Sequence, residues 1–370
     1  MDSKKILIIF PDPWVKFSPS VANFIEMLNK ENVSSIVLYL NDGYFDSSDL
    51  PFDCYEVSIN RILYKLLSKF RILKFAKILI LYLEAIRLSK KHKFKGAVGF
   101  DDVGYISARL VNKNTIYYSL EIDRNLLNRI IFTIFRPCLI IQSEERKNYL
   151  AKNLENKKVC YIQNSPILYQ DYNVKPSNQR NGYLYFGHLI REHGIEPSIE
   201  AVREMGDKLV IKYVKVNGRN KYLDYLKSKY QNLIKEGILV FDDSFIKQEE
   251  IIDYISNFRI GFVFYDNDLV RRSYNYQTSP SGKAFNYLAS GTPIIGSDIA
   301  GLRFIKDYEA GILVKNVNTQ EILKAIHKIN SNYEFFSKNA INAIKHLSYN
   351  KMFSENKYKI FKSLGLYIQT

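Results

Sequence analysis

Lys283 lies in the stretch SPSGKAFNYLASGTPIIGSD (279–298), where the order of residue types suits phosphate chemistry. After Ser279, a candidate binding residue, Pro280, Ser281 and Gly282 form a turn whose backbone N–H groups can open outward at the start of a helix. Unsatisfied donors and the positive end of the helix dipole favour an anion there, and Lys283 adds a full charge. Ala284, Phe285, Leu288 and Ala289 recur at helical spacing and point to a core face. Gly291 ends the helix, and Thr292-Pro293 feeds the apolar strand Ile294-Ile295-Gly296. An ordinary strand-to-helix junction with a solvated lysine has the same pattern; as a binding site it suits a diphosphate.

The elements that must position this turn alternate along the whole chain. Apolar runs predict strands at 5–10, 33–40, 96–100, 115–120, 138–143 and 158–162, with helices at 19–30, 103–111, 125–135 and 144–153 between them. Such alternation predicts an α/β class with parallel sheets covered on both faces. A polar, aperiodic stretch at 163–182 with two prolines marks a linker. Alternation then resumes with strands at 183–186, 209–214, 238–241, 260–265, 293–296 and 311–314, and a helical tail covers 331–364. The expected architecture is two tandem Rossmann-like doubly wound domains facing a central cleft, with ligands beyond the carboxyl ends of the strands. The boundaries fall at 1–165 and 166–345, with a last helix at 346–370 that packs across the junction.

A chain of 370 residues has room for two cores, and 46% hydrophobic with 14% aromatic residues excludes a disordered polymer. Cys54, Cys138 and Cys160 are odd in number and widely spaced, which suits free thiols in a reducing compartment. No apolar run reaches the length of a spanning helix, and a cytoplasmic location is expected. The net charge of +15 is uneven: residues 61–95 carry eleven lysines and arginines against the single Glu84, interleaved with leucine, isoleucine and phenylalanine. This basic amphipathic pair of helices can lie on an anionic membrane surface. It can also be a domain helix pair with its lysines in water. No nucleic-acid motif accompanies it, so nucleic acid is not an expected partner.

Two blocks carry a family resemblance. YLYFGHLIREHGIEPSIEA (183–201) and SPSGKAFNYLASGTPIIGSDIAGLRFIKDYEAGILV (279–314) resemble the donor domain of GT-B glycosyltransferases, especially the retaining group called family four or group one. Tyr117–Ser119 and QNSP (163–166) resemble the acceptor-domain strand and the hinge, while 1–95 matches only in general pattern. The resemblance implies an acceptor-binding half, a donor-binding half, and transfer from a nucleotide diphosphate sugar to a lipid-linked or cell-surface glycan acceptor, such as a polyprenyl-linked precursor. It implies retention of configuration and neither a metal nor another cofactor, and the basic segment adds the expectation of a peripheral position on the cytoplasmic membrane face. Charge stabilisation of the leaving diphosphate then dominates catalysis.

Carried over residue by residue, Gly187 is the glycine of the donor loop, with His188 and His193 where the group has arginine and lysine. Arg191 stands between them, and with Lys283 it is expected to supply the fixed charge, unless it points to solvent. The group's paired glutamates fall at Thr278 and Asn286; Asn286 keeps hydrogen bonding to a ribose but no carboxylate. Asp243–Ile246 and Tyr265 are candidates for base and sugar selection. On the acceptor side, Asp101 and Asp102 follow one strand, and Glu121 and Asp123 follow the next. Glu121 is the candidate to orient or deprotonate the acceptor hydroxyl, although Glu121 or Asp123 can equally cap the following helix. Trp14 and Lys16 can line the cleft. Asp266-Asn267-Asp268 has the DxD form of metal-binding transferases, but its place after a strand of the second half argues against ligation. A non-catalytic partner subunit and a sugar-nucleotide epimerase of the same fold are the alternative functions.

Overall fold

The structure is a computed structural model that describes residues 4–41, 50–70, 72–169, 172, 174–213 and 220–366. Arg71, Val214 and residues 170, 171 and 173 of the expected linker lie outside the described residues. The chain forms two compact units, Met1–Asn164 with Tyr349–Thr370, and Ser165–Ser348.

The first unit holds β1 (Lys5–Phe10), β2 (Ser34–Asn41), β3 (Cys54–Ser58), β4 (Gly96–Phe100), β5 (Thr115–Tyr118), β6 (Cys138–Ile141) and β7 (Val159–Tyr161). They form one parallel sheet in the order β3-β2-β1-β4-β5-β6-β7. Central strands are buried on both faces, so β1, β2 and β4 read as unbroken apolar runs. β3 differs: alternate residues of CYEVS are exposed, as expected of an edge strand, and this faint pattern escaped the sequence reading. Gly104 lets the helix Asp101–Val111 press onto β1, since a Cβ there would lie 2.7 Å from the Ile9 carbonyl oxygen.

The basic segment forms helices Arg61–Lys69 and Leu73–Lys91. The second buries Lys77, Leu81, Ala85 and Leu88 along one stripe, while the first buries no residue. The stretch expected as one helix over 125–135 is a short α-helix, Leu126–Ile130, followed by a wider π-turn, Ile131–Phe135. Arg136, with φ of 44°, ends it. The last helix, Tyr349–Ser363, belongs to this unit: Tyr349 and Tyr118 hydroxyls meet at 3.1 Å, and Lys359 donates to the Val159 carbonyl at 3.1 Å.

The second unit holds β8 (Tyr183–Gly187), β9 (Leu209–Tyr213), β10 (Leu239–Asp242), β11 (Ile260–Val263), β12 (Ile294–Ser297) and β13 (Gly311–Val314). Their parallel order β10-β9-β8-β11-β12-β13 reverses direction between β8 and β11, the switch point where doubly wound sheets bind ligands. The helix Gly282–Ala289 buries Ala284, Phe285, Tyr287, Leu288 and Ala289, and leaves Gly282, Lys283 and Asn286 on its partly open edge. Its far end is locked by Arg180, which donates to the Gly291 carbonyl at 2.6 Å.

Candidate functional site

In the second unit the switch point and the Gly282 helix converge on one ammonium. Nζ of Lys283 lies 4.6 Å from the centre of the Tyr185 ring and 3.5 Å from its hydroxyl. Gly187, the last residue of β8, has φ of 140°, and a Cβ there would sit 3.1 Å from Nζ. The backbone angle calls for glycine, and a Cβ would crowd the ammonium. No carboxylate pairs with Lys283 among the described residues, and burial lowers its pKa to about 7. The ammonium is held on a partly open edge without a counter-anion among the described residues.

The adjacent helix start is equally unsatisfied. Ser281 precedes it with φ of 39°, a conformation that costs a non-glycine residue energy, and makes no side-chain cap. Its carbonyl accepts from Ala284 N–H at 2.9 Å, but the N–H groups of Gly282 and Lys283 find no acceptor among the described residues. Two unpaired amides and an ammonium without a counter-anion make an anion site with a built-in charge.

His193 is buried beside them, its Nδ1 2.8 Å from the Tyr185 hydroxyl and 3.1 Å from the His188 carbonyl. Burial, then the Lys283 charge, lowers its pKa to about 3. His188 presents an exposed surface, yet the protein around its ring, and then Lys283, lower its pKa as well. Both histidines are neutral near pH 7 and serve as hydrogen-bonding groups, leaving Lys283 to bring the charge.

The structure does not bring Arg191 to this group. The 3₁₀ turn Arg191–His193 sends His193 inward and Arg191 outward, where its guanidinium stands 5.8 and 5.6 Å from the rings of Tyr222 and Tyr225. Asn286 lies one turn along the helix from Lys283, half-buried. Thr278 is buried and donates to its own helix at Tyr274. The backbone of Thr278 and Ser279 packs against Gly301, where a Cβ would collide with the Ser279 carbonyl oxygen, and Pro280 is buried. Asp266 caps the helix Asn267–Arg272 by accepting from Asp268 N–H at 2.7 Å, and Asp268 faces Arg271. Tyr265 is buried with its ring against His193, its N–H donating to the Ser297 hydroxyl at 2.9 Å. Past β10, burial opposes the Asp242 charge, but hydrogen bonds from Ser244, then Lys212 and Tyr254, outweigh it and hold its pKa at about 2. Phe245 beyond it is 89% exposed.

The first unit has its own cavity, of about 520 Å³, at the carboxyl ends of β1, β4 and β5. Trp14, Asp101, Asp102, Glu121 and Asp123 all line it, whereas Lys16 does not. Asp101 adopts φ of 52° and accepts from the N–H groups of Leu120 and Glu121 at 2.9 and 3.2 Å. Burial raises its pKa well above the ordinary carboxylate value, and Glu121 and Asp12 push the same way. Neither Glu121 nor Asp123 caps the next helix; Asn125 does, accepting from Asn128 N–H at 2.8 Å.

Sequence reading missed the cavity's cations. Lys74 pairs with Asp102 at 2.9 Å and Asp123 at 3.5 Å, and Lys77 pairs with Asp12 at 2.7 Å. Burial disfavours the Lys74 charge, but Asp102 and then Asp123 outweigh it and raise its pKa. A signal was present: Lys77 falls on the same stripe as Leu81, Ala85 and Leu88, which makes it an inward residue. The cavity carries five carboxylates against these two ammoniums, lined also by Tyr117 and Asn128.

No protein-family model matches the sequence, and no curated protein matches it. Solved structures match over nearly the whole chain. A glycosyltransferase from Rickettsia africae has a TM-score of 0.73 at 13% identity, covering 98% of this chain and 99% of that one. Sucrose-phosphate synthase from Thermosynechococcus elongatus has a TM-score of 0.70 at 15% identity, with 98% and 99% covered. The fold is GT-B. HepE from Anabaena, solved with UDP and glucose, shares it with a TM-score of 0.67 at 12% identity over 97% of this chain and 100% of that one. Within this GT-B chain, the Lys283 cluster and the carboxylate cavity each occupy the switch point of their own sheet.

Proposed function

We propose that the protein is a glycosyltransferase that moves a sugar from a nucleoside diphosphate sugar to a hydroxyl of a membrane-linked glycan acceptor. The observation that carries this reading is the Lys283 ammonium, buried without a counter-anion beside two unpaired helix amides. A buried charge without a partner is costly, and it is retained where a ligand completes it. A diphosphate supplies the missing charge, and HepE, of the same fold, was solved with UDP.

In this reading Gly187, Ser281, Gly282 and Lys283 hold the diphosphate, and His188, His193, Ser279 and Pro280 shape its walls. Asn286 hydrogen-bonds the ribose, while Arg191, turned outward onto Tyr222 and Tyr225, has no part in holding the diphosphate. As the glycosidic bond to the diphosphate breaks and the acceptor oxygen bonds the sugar, negative charge grows on the bridging oxygen, which these donors would stabilise. The carboxylates of Asp101 and Glu121 accept hydrogen bonds from the acceptor hydroxyls, with Asp102, Asp123 and Trp14 forming the rest of the acceptor wall. The leaving diphosphate takes the hydroxyl proton, and configuration is retained. No metal is assigned a part. The basic helices of residues 61–95 attach the protein to the cytoplasmic face of the membrane.

The test is a panel of UDP, GDP and ADP sugars assayed for hydrolysis and for transfer to membrane extract. The wild type should hydrolyse at least one donor slowly and transfer it faster, and Lys283→Ala should lose both while keeping its circular dichroism spectrum. Donor turnover unaffected by Lys283→Ala sinks the assignment. Release of an altered sugar nucleotide without acceptor would instead indicate an epimerase, and binding of no donor a non-catalytic subunit.

A further inference from the structure

Two separate basic and apolar elements flank the mouth of the carboxylate cavity, and the sequence reading accounted for only one of them. On one side, Leu73 and Lys74 line the cavity while Phe75, Leu79 and Leu83 form an exposed stripe on the same helix, with Phe75 70% exposed. On the other side, Asn125 donates to Asp102 at 2.7 Å and to Asp123 at 2.9 Å. The next residue, Leu126, is 73% exposed, followed by exposed Ile130, Ile134 and Phe135. The two sides meet on shared carboxylates, since Lys74 pairs with the same Asp102 and Asp123. Residues 124–136, RNLLNRIIFTIFR, contain three arginines and no acid, all three exposed.

We propose that the Leu126–Phe135 element is a second bilayer-inserting surface, and that with the basic helices it seats the cavity mouth directly on an anionic membrane. Exposed leucine, isoleucine and phenylalanine beside arginine, without acidic residues, is the composition that partitions into the headgroup boundary of anionic lipid. Charge complementarity selects the bilayer over a second copy of this chain, because two such surfaces would oppose arginine to arginine. Lys74 and Lys77 take no part, being consumed by carboxylates inside the cavity. The consequence rests on the transferase reading: an acceptor keeps its lipid in the bilayer while its polar head, rich in hydroxyls rather than phosphate, enters the acid-lined cavity.

Trp14 is the only tryptophan of the chain and lines the cavity, so it reports the cavity's distance from a membrane. The full-length protein is mixed with vesicles of phosphatidylcholine containing phosphatidylglycerol and a dansyl-headgroup lipid. Energy transfer from Trp14 should be strong, should require the anionic lipid, and should fall as salt rises. The double variant Leu126→Glu, Ile134→Glu changes only exposed side chains; it should bind vesicles about tenfold or more weakly. Its calorimetric donor binding should equal that of wild type, which separates this proposal from the transferase reading. Vesicle binding unchanged in the variant, binding without energy transfer from Trp14, or a variant that instead breaks a wild-type dimer in sedimentation would each overturn the proposal.

Discussion

Replacing Lys283 by methionine should make the unliganded protein more stable while abolishing diphosphate binding. The ammonium has only a 3.5 Å contact with the Tyr185 hydroxyl and the face of that ring to offset its burial. Its folded pKa is about 7, against an ordinary 10.5 when unfolded. Between these values the unfolded chain binds more protons, so stability rises with pH across that window, and the penalty is fully present below pH 7. The difference is worth at most about 5 kcal/mol, and screening of the half-buried side chain reduces it, so a gain of roughly 2 kcal/mol near pH 6.5 is expected. Methionine keeps the length of the stem, which limits packing losses. Scanning calorimetry of the full chain should show a rise of roughly 4 °C at pH 6.5. The gain should shrink toward zero as pH approaches 10. A loss of stability at pH 6.5 would mean that the ammonium is a paired, structural group, and the reasoning behind the donor site would be refuted.

Three further outcomes are expected. Gly187→Ala forces φ of 140° on a side-chain-bearing residue and crowds Nζ, so donor affinity should drop about tenfold or more by calorimetry, whereas unchanged affinity would detach Gly187 from the site. Asp101→Asn keeps an oxygen for the Leu120 and Glu121 amides but cannot become a carboxylate. In wild type the acceptor KM should climb as falling pH protonates Asp101, starting above the usual carboxylate range, and the variant should show a high KM independent of pH. Asp266 already caps a helix, so chelation with EDTA should leave transfer unchanged, and Asp266→Ala should cost about 1 kcal/mol of stability rather than activity; metal-dependent turnover would count against this.

Much of the fold was legible because parallel sheets write themselves as apolar runs. Of the thirteen strands among the described residues, all but β3 were located from their runs, within about two residues. The exception, β3, is half exposed, and exposure erases the pattern that marks a central strand. Strand ends were overdrawn at 115–120, 138–143 and 260–265, where the extended chain runs past the ladder into the following loops. In the Gly282 helix, periodicity named the buried face, and Gly291, with φ of 65°, stops it as expected. The role of Tyr185 was not readable: a buried strand tyrosine carries no mark showing that its hydroxyl meets a lysine almost a hundred residues away. Arg191 and His193 lie two residues apart, and only the local 3₁₀ turn decides which points inward. Lys74 and Lys77 were counted as surface charge because their partners, Asp102 and Asp12, come from other elements of the sheet's edge.

The central claim is that the Lys283 ammonium and the Gly282 and Lys283 amides form a diphosphate site. Burial lowers the Lys283 pKa to about 7, so near neutral pH part of the free protein carries a neutral lysine. Bound diphosphate recharges it, so titration with UDP, GDP and ADP in buffers of different ionisation heat should show more proton uptake for the preferred base than the nucleotide's own ionisation accounts for. That excess should vanish in Lys283→Met. Failure of all three nucleotides to bind, or binding with no such excess, would contradict the account.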